Sequence, residues 1–315
     1  MSQSTANAPI NFDIRVPDNG YAWWYIDAVS DDGKHALTLI AFIGSVFSPY
    51  YAWARQRAAC NPLDHCAMNV VLYGAGRKRW AMTERTGAAI ERSTAHLAIG
   101  PSSLSFDGTC LDVALDEVTV PLPSRIRGRL RLVPATITNH DFILDTNGHH
   151  HWRPLAPCAR IEVNLERPDL RWSGHAYFDS NVGSRPLEAD FVYWDWSRSV
   201  DPDGTVILYE GLRRDGSTFA LAAKAKPSGD LEMLVPPAPV QLGRTGWGLT
   251  RRTRAEGEVR VVDTLEDTPF YARSLLQGCW QGQPGLAVHE SLCMDRFSKP
   301  WVRCLLPFRM PRVAG

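Results

Sequence analysis

Three observations predict an all-β fold, barrel or sandwich, for this chain. Short β-branched and aromatic runs are separated by turn signals: Asp31-Asp32-Gly33, Tyr73-Gly74-Ala75-Gly76, Asp107-Gly108, Thr146-Asn147-Gly148, Asp203-Gly204, Asp215-Gly216 and Ser228-Gly229-Asp230. Long helical periodicity is hard to find. The 22 prolines, with Pro49, Pro62, Pro101, Pro121 and Pro123 in the first half, cut the chain into pieces too short for long helices. Short strands at regular turn spacing are the pattern of barrels and sandwiches.

The first elements read as a hairpin that returns later in the chain. Trp23-Trp24-Tyr25 is followed by Asp32-Gly33 and then Leu37-Thr38-Leu39-Ile40. Trp194-Asp195-Trp196 is followed by Asp203-Gly204 and Leu208-Tyr209, and nine residues separate the first ring from the turn Asp in both copies. The repeat predicts two related β domains, residues 1–185 and 186–315; the alternative is chance likeness of two hairpins. The apolar stretch Leu37 to Tyr51 spans 15 residues and is broken by Gly44, Ser45, Ser48 and Pro49, too short and interrupted to cross a bilayer. Met1 to Pro9 is polar and lacks a signal core, so a soluble or peripheral protein is expected. In the second half, Val235-Pro236-Pro237-Ala238-Pro239 reads as a rigid loop.

Composition narrows the function classes. Lys+Arg and Asp+Glu are both 34, a zero net charge that gives no support for nucleic-acid binding. The 11 tryptophans suit either the lining of an apolar ligand cavity or a Trp-rich β core, and composition does not choose. The seven cysteines are odd in number and scattered, without a Cys-x-x-Cys pair, which reads as reduced, buried thiols of a cytoplasmic protein and not a disulfide framework or a zinc site. No Gly-x-Ser-x-Gly elbow, P-loop or Gly-x-Gly-x-x-Gly occurs, so no nucleotide cofactor is expected. The run Arg251-Arg252-Thr253-Arg254 reads as a solvated strand face or turn, with contact to anionic headgroups as the alternative.

Chemistry concentrates between Gly148 and Asn181. On a strand, side chains alternate between faces. His150 and Trp152 then share a face, and so do His175, Tyr177 and Asp179 on a second strand. Asp179 is the candidate acid: burial among rings such as Tyr177, Trp172 and Trp152 would disfavour its charged form and raise its pKa. The competing reading is that Asp179-Ser180-Asn181 caps a turn. For a metal, at most His149 and His151 share a face, a third ligand would come from His140 or His175, and no zinc-type spacing exists, so none is expected. His150 reads instead as a partner that orients or reprotonates a carboxyl.

These residues, with several long segments, resemble the carotenoid 1,2-hydratases, also called hydroxyneurosporene synthases. The matching segments are Asn19 to Asp27, Phe42 to Tyr51, Trp80 to Arg85, Trp172 to Asn181, Tyr193 to Arg198, Thr264 to Tyr271 and Leu306 to Arg312, in order over nearly the whole chain. The resemblance implies tandem lipocalin-like β-barrel domains and addition of water, without a cofactor, to the terminal C1=C2 bond of an acyclic carotenoid such as neurosporene or lycopene. It also implies that His150, Trp152, Tyr177 and Asp179 are the residues used. Asp179 would protonate C2 to leave a tertiary cation at C1, and the faces of Trp152 and Tyr177 would stabilise it by roughly 1–2 kcal/mol. A tunnel in a barrel, or between the domains, would suit the polyene. Trp172, Tyr50, Tyr51 and Trp53 are candidates for its wall and entrance, with ordinary packing as the alternative for the last three. A membrane-borne substrate implies a cytoplasmic enzyme, peripheral at the inner photosynthetic membrane and touching lipid. The competing classes are a non-catalytic lipocalin-like carrier and an isomerase or cyclase using the same acid.

Overall fold

The computed structural model describes residues 10–74 and 78–313. Ala75 and Gly76 of the expected Tyr73–Gly76 turn, and the polar Met1–Pro9 segment, lie outside them. The chain divides into two compact units, one running to Pro186 and including the residues from Leu305 on, the other Leu187–Cys304. Both are built almost wholly from β-sheet, as expected, nearly all of it antiparallel, and the first helix, α1 (Pro49–Arg55), has seven residues.

The first unit contributes β1 (Tyr21–Ser30), β2 (His35–Ile43), β3 (Cys66–Gly74), β4 (Arg79–Arg85), β5 (Ile90–Arg92), β6 (His96–Ile99), β7 (Ser102–Phe106), β8 (Leu111–Val118), β9 (Arg125–Pro134), β10 (Phe142–Ile143), β11 (His150–Arg167) and β12 (Leu170–Gly183). The second holds β13 (Phe191–Asp201), β14 (Gly204–Arg213), β15 (Thr218–Ala225), β16 (Leu231–Met233), β17 (Pro239–Leu242), β18 (Arg251–Arg254), β19 (Arg260–Asp267), β20 (Tyr271–Trp280) and β21 (Gln283–Cys293), and β22 (Arg312–Val313) returns to pair parallel with β4. The Gly-bearing signals after Asp31, Asp107, Asp203, Asp215 and Ser228 fall at strand-to-strand connections, and Thr146-Asn147-Gly148 leads into β11.

In the first unit the strand order is β22-β4-β3-β2-β1-β12-β11-β9-β8-β7-β6-β5, with β10 on β11. One face carries the apolar core: Ala22, Trp24, Ile26 and Ala28 of β1, Leu37, Leu39 and Ala41 of β2, and Ala176 and Phe178 of β12 all join it. Burying apolar side chains from successive strands on one side is the main stabilising contribution, roughly 1.5–3 kcal/mol for each large residue removed from water. β1 and the middle of β12 are nevertheless buried on both faces. Their second face holds polar and aromatic side chains.

The second unit orders its strands β16-β15-β14-β13-β21-β20-β19, with β17-β18 as a separate pair. Its opening hairpin, β13 to β14, repeats that of β1 to β2, and in both units the opening strand lies between the second strand and a late one. The run Arg251–Arg254 is not a solvated face. Arg251 and Thr253 are buried, and the Arg251 guanidinium donates to Gly243 O, Thr264 Oγ1 and Ser274 Oγ. Local charge suggested water; partners distant in sequence made burial possible.

Candidate functional site

The second face of β1, β2, β11 and β12 is laid out by strand register. Asp179 stands opposite Tyr25 on β1 and Pro154 on β11; Asn181 stands opposite Trp23 and Trp152; Tyr177 stands opposite Asp27; and Gly183 stands between Tyr21 and His150. Directly opposed residues of an antiparallel pair share a face. The period of two therefore gathers Tyr21, Trp23, Tyr25 and Asp27 with His150, Trp152, Tyr177 and Asp179. The Asp179-Ser180-Asn181 run is strand, not turn.

Asp179 is the centre. Its Oδ2 accepts a hydrogen bond from the Trp152 indole Nε1 at 2.8 Å and another from the Tyr177 hydroxyl at 2.8 Å. Trp152 and Tyr177 are fully buried, and Asp179 is 4% exposed. The reach from Trp152 is the diagonal of the ladder, since its direct neighbour is Asn181. Burial, and then the neighbouring Asp179 carboxylate, push the Tyr177 phenol well above its usual pKa of 10.0, so it remains a proton-bearing donor. These two donors are neutral.

Two arcs of rings adjoin the residues of this face. Phe142 packs on Trp152 with centroids 5.2 Å apart, and Tyr25 meets Tyr177 edge-on at 6.2 Å. The other arc runs from His150 to Tyr21 (5.8 Å), Trp23 (4.9 Å), Phe42 (6.0 Å) and Phe47 (5.9 Å). His150 is fully buried, and its Nδ1 lies 2.9 Å from the Tyr21 hydroxyl. Its backbone N–H donates to the Asp145 carboxylate, which fixes the start of β11. Gly183 makes room for the stack, because a Cβ there would run into the Tyr21 ring. The arrangement combines a buried carboxyl, hydroxyl and indole donors, an imidazole and π surfaces, the parts needed to hand a proton to an apolar molecule and to face a cation.

Other candidates fall elsewhere. Trp172 has the opposite parity from Asp179 and packs against the apolar core. His175 has the right parity but is exposed, beyond the covered part of the face. Tyr51 is a buried anchor: its hydroxyl donates to Gly20 O at 2.7 Å and its ring stacks on His65 at 4.7 Å. Tyr50 and Trp53 are half-buried and pack edge-on against each other at 5.9 Å on α1, whose start is capped by the Ser48 side chain with Pro49 behind it. His149 bonds Ser184 and His151 bonds Asp141, and among the described residues no group of three His, Cys, Asp or Glu is placed to hold a metal.

Strand alternation in Tyr21-Ala22-Trp23-Trp24-Tyr25-Ile26-Asp27 is the sequence signal for the β1 half of the candidate site. Asp27, fully buried, adds a second carboxyl to this face.

The second unit has its own buried polar cluster. Asp195 Oδ1 accepts from Ser291 Oγ, and burial pushes the Asp195 carboxyl up to about 7. His289 is pushed down to about 4 by burial, so it is neutral; its Nε2–H donates to Arg252 O, and the ring lines a small cavity together with Asp195, Glu210, Thr253 and Arg254.

Comparison with known proteins gives the following. Residues 39–315 match the family described as carotenoid hydratase CrtC. The acyclic carotenoid 1,2-hydratase of Thiocapsa roseopersicina is 53% identical over 307 residues, covering 96% of this chain and 76% of that protein. The enzyme of the same name from Rubrivivax gelatinosus is 47% identical over 308 residues, with the same coverage, and that of Cereibacter sphaeroides is 40% identical over 280 residues, 88% of this chain and 99% of the relative. Among solved structures, a Nitrosomonas europaea protein described as AttH superposes with a TM-score of 0.63 at 14% identity, covering 92% of this chain and 98% of its own. Kievitone hydratase from Nectria haematococca superposes with a TM-score of 0.57 at 9% identity, covering 88% and 90%. At such identities the likeness is one of fold, the tandem lipocalin-like architecture.

Proposed function

This chain belongs to the carotenoid hydratase CrtC family, and on that premise we propose that it adds water across the terminal C1=C2 bond of an acyclic carotenoid, lycopene or neurosporene, by acid catalysis without a cofactor. The observation that carries this reading is the Asp179 carboxyl, buried among rings and held at Oδ2 by two neutral donors. With Oδ2 engaged by the Trp152 N–H and the Tyr177 O–H, a proton on this group resides on Oδ1.

In the proposed reaction that proton passes to C2 of the substrate, the C1=C2 π pair forms the new C2–H bond, and C1 becomes a tertiary cation. Surrounding aromatic faces stabilise it, by roughly 2 kcal/mol per well-placed ring when water is excluded. Water attacks C1, and its surplus proton returns to the Asp179 carboxylate, which restores the acid and balances the step. His150, linked to Tyr21, is the orienting neighbour in this scheme. The product is a 1-hydroxy-1,2-dihydro carotenoid. Because the substrate partitions into membranes, the protein is read as peripheral, at the cytoplasmic face and in contact with lipid; none of its described helices is long and apolar enough to cross a bilayer.

The test uses purified protein, detergent-dispersed lycopene or neurosporene, no added cofactor, and mass analysis in ordinary and oxygen-labelled water. A labelled product one water heavier, lost with Asp179→Asn while carotenoid binding persists, is the expected result. Binding without a product would make the protein a lipocalin-like carrier. A product of unchanged mass would make it an isomerase or cyclase.

A further inference from the structure

Two large apolar rings of the second unit face water. Trp247 and Trp301 are each 48% exposed, yet they lie against each other, with centroids 6.3 Å apart and planes inclined by 26°. Neither is carried on a loose segment. Trp247 sits in a tight turn, where Gly248 N–H donates to Thr245 O and Leu249 N–H donates to Thr245 Oγ1, and Gly248 has φ +71°. The Trp247 N–H points to the Asp267 carboxylate at 3.3 Å, and Trp247 O accepts from the Arg296 guanidinium at 2.8 Å. Trp301 stands at the second position of the helix Pro300–Leu305. The turn and the helix fix both backbones, so the indoles are presented by a built platform.

Such exposure opposes the hydrophobic effect and asks for an occupant. The chemistry around it selects one. Arg244 and Lys299 are exposed beside Trp247 and Trp301 in the chain, and Arg296 is half-buried beneath the turn. Against these three cations, Asp295 is paired with Arg214, and Asp267 receives the Trp247 N–H and keeps its single charge. In a chain of zero net charge this places cations around two interfacial rings. Tryptophan favours the water–hydrocarbon boundary, where its indole is half solvated, and arginine and lysine favour anionic headgroups. We infer that the Trp247–Trp301 platform is a docking surface for an anionic lipid bilayer. This gives the membrane contact of the proposed function a definite location and rests on that reading for its purpose, but not for its test.

The test is sedimentation of the full chain, without carotenoid, with vesicles of phosphatidylcholine alone or of phosphatidylcholine and phosphatidylglycerol in equal parts. Wild type should partition onto the anionic vesicles and lose them at high salt, and Trp247→Ala/Trp301→Ala should partition at least about tenfold less. Arg244→Gln/Lys299→Gln, which leaves the rings in place, should lose the preference for phosphatidylglycerol. A thermal unfolding midpoint equal to that of wild type shows that the ring variant is folded. Equal vesicle binding by wild type and the ring variant would overturn the inference. Failure of wild type to bind either vesicle would also overturn it and leave the platform to a protein partner. Vesicle binding is read without turnover, so a failure of the hydratase reading is seen separately.

Discussion

In the first unit Asp179 stands opposite Tyr25 across β1 and β12; in the second, Glu290 stands opposite Trp196 across β13 and β21. Tyr25 and Trp196 occupy matching places, each two residues after the ring that precedes the turn Asp by nine. The two carboxyls thus share a position in a repeated hairpin framework, and their neighbours differ in kind. Asp179 receives an indole N–H and a phenol O–H, both neutral. Glu290 also receives a phenol, from Tyr271 at 2.9 Å, but its other partner is the guanidinium of the fully buried Arg273. A carboxyl held by neutral donors can hold or release a proton without leaving a charge uncompensated beside it. One that balances a buried guanidinium is committed to remaining an anion. Under the proposed function, one fold position serves chemistry in one unit and structure in the other, and the guanidinium beside Glu290 is the difference in charge between them.

The largest expected effect breaks the comparison from the first side. Asp179→Asn removes the acid and should lower turnover about a hundred- to ten-thousand-fold, the usual contribution of a general acid. Its thermal midpoint should move little, because Asn still accepts from Trp152 and Tyr177. Equal turnover by wild type and variant would end Asp179's role. On the other side, Glu290→Gln should leave turnover within about threefold but lower stability by about 3 kcal/mol, since Arg273 keeps a hydrogen-bond acceptor and loses its counter-charge. A variant as stable as wild type would show that the Arg273 charge is compensated without Glu290.

A smaller effect sharpens the account of the neutral donors. Tyr177→Phe and Trp152→Phe each keep a ring and delete one hydrogen bond to Asp179 Oδ2. Each should slow turnover about tenfold, the worth of roughly 1.4 kcal/mol for a hydrogen bond to an ionisable group. If both variants turn over at the wild-type rate, the two bonds hold structure alone.

Half of the site was legible because a strand has a fixed period. Once Gly148–Asn181 is read as strand, His150 and Trp152 fall on one side and Tyr177 and Asp179 on one side, whatever surrounds them. The same rule excludes Trp172 from that side: its parity is opposite to that of Asp179, and its ring packs on the apolar core. What the sequence hid is which strands are neighbours. β1 brings Tyr21, Trp23, Tyr25 and Asp27 beside residues some 150 positions away, and no local pattern encodes that pairing. The burial of Arg251 is hidden for the same reason: its partners Gly243, Thr264 and Ser274 come from separate segments. The α1 helix had its signal in Ser48-Pro49, a cap followed by proline, but one short helix inside an apolar run does not stand out by periodicity.

The smallest effect concerns the second unit's other buried acid, and its sign follows from two shifts that oppose each other. Asp195 is raised from 3.8 to about 7 by burial, so the folded state prefers it protonated; the stability this contributes is present below pH 3.8 and is lost as pH rises toward about 7. His289 is lowered from 6.5 to about 4 by burial; its contribution is present above pH 6.5 and is lost as pH falls toward about 4. Between those limits the two slopes nearly cancel, and the wild-type thermal midpoint should be almost flat. Asp195→Asn removes the first slope and leaves the second, so its midpoint should rise with pH from about 4 to 6.5. Thermal unfolding at half-unit pH steps reads this directly. Parallel profiles for wild type and variant would mean that Asp195 titrates in the folded protein as it does unfolded, and that the hydroxyl of Ser291 and the Arg252 N–H offset its burial. The buried carboxyl of this cluster would then be held as an anion beside neutral donors, and neutral donors would no longer support the proposal that Asp179 acts as the acid.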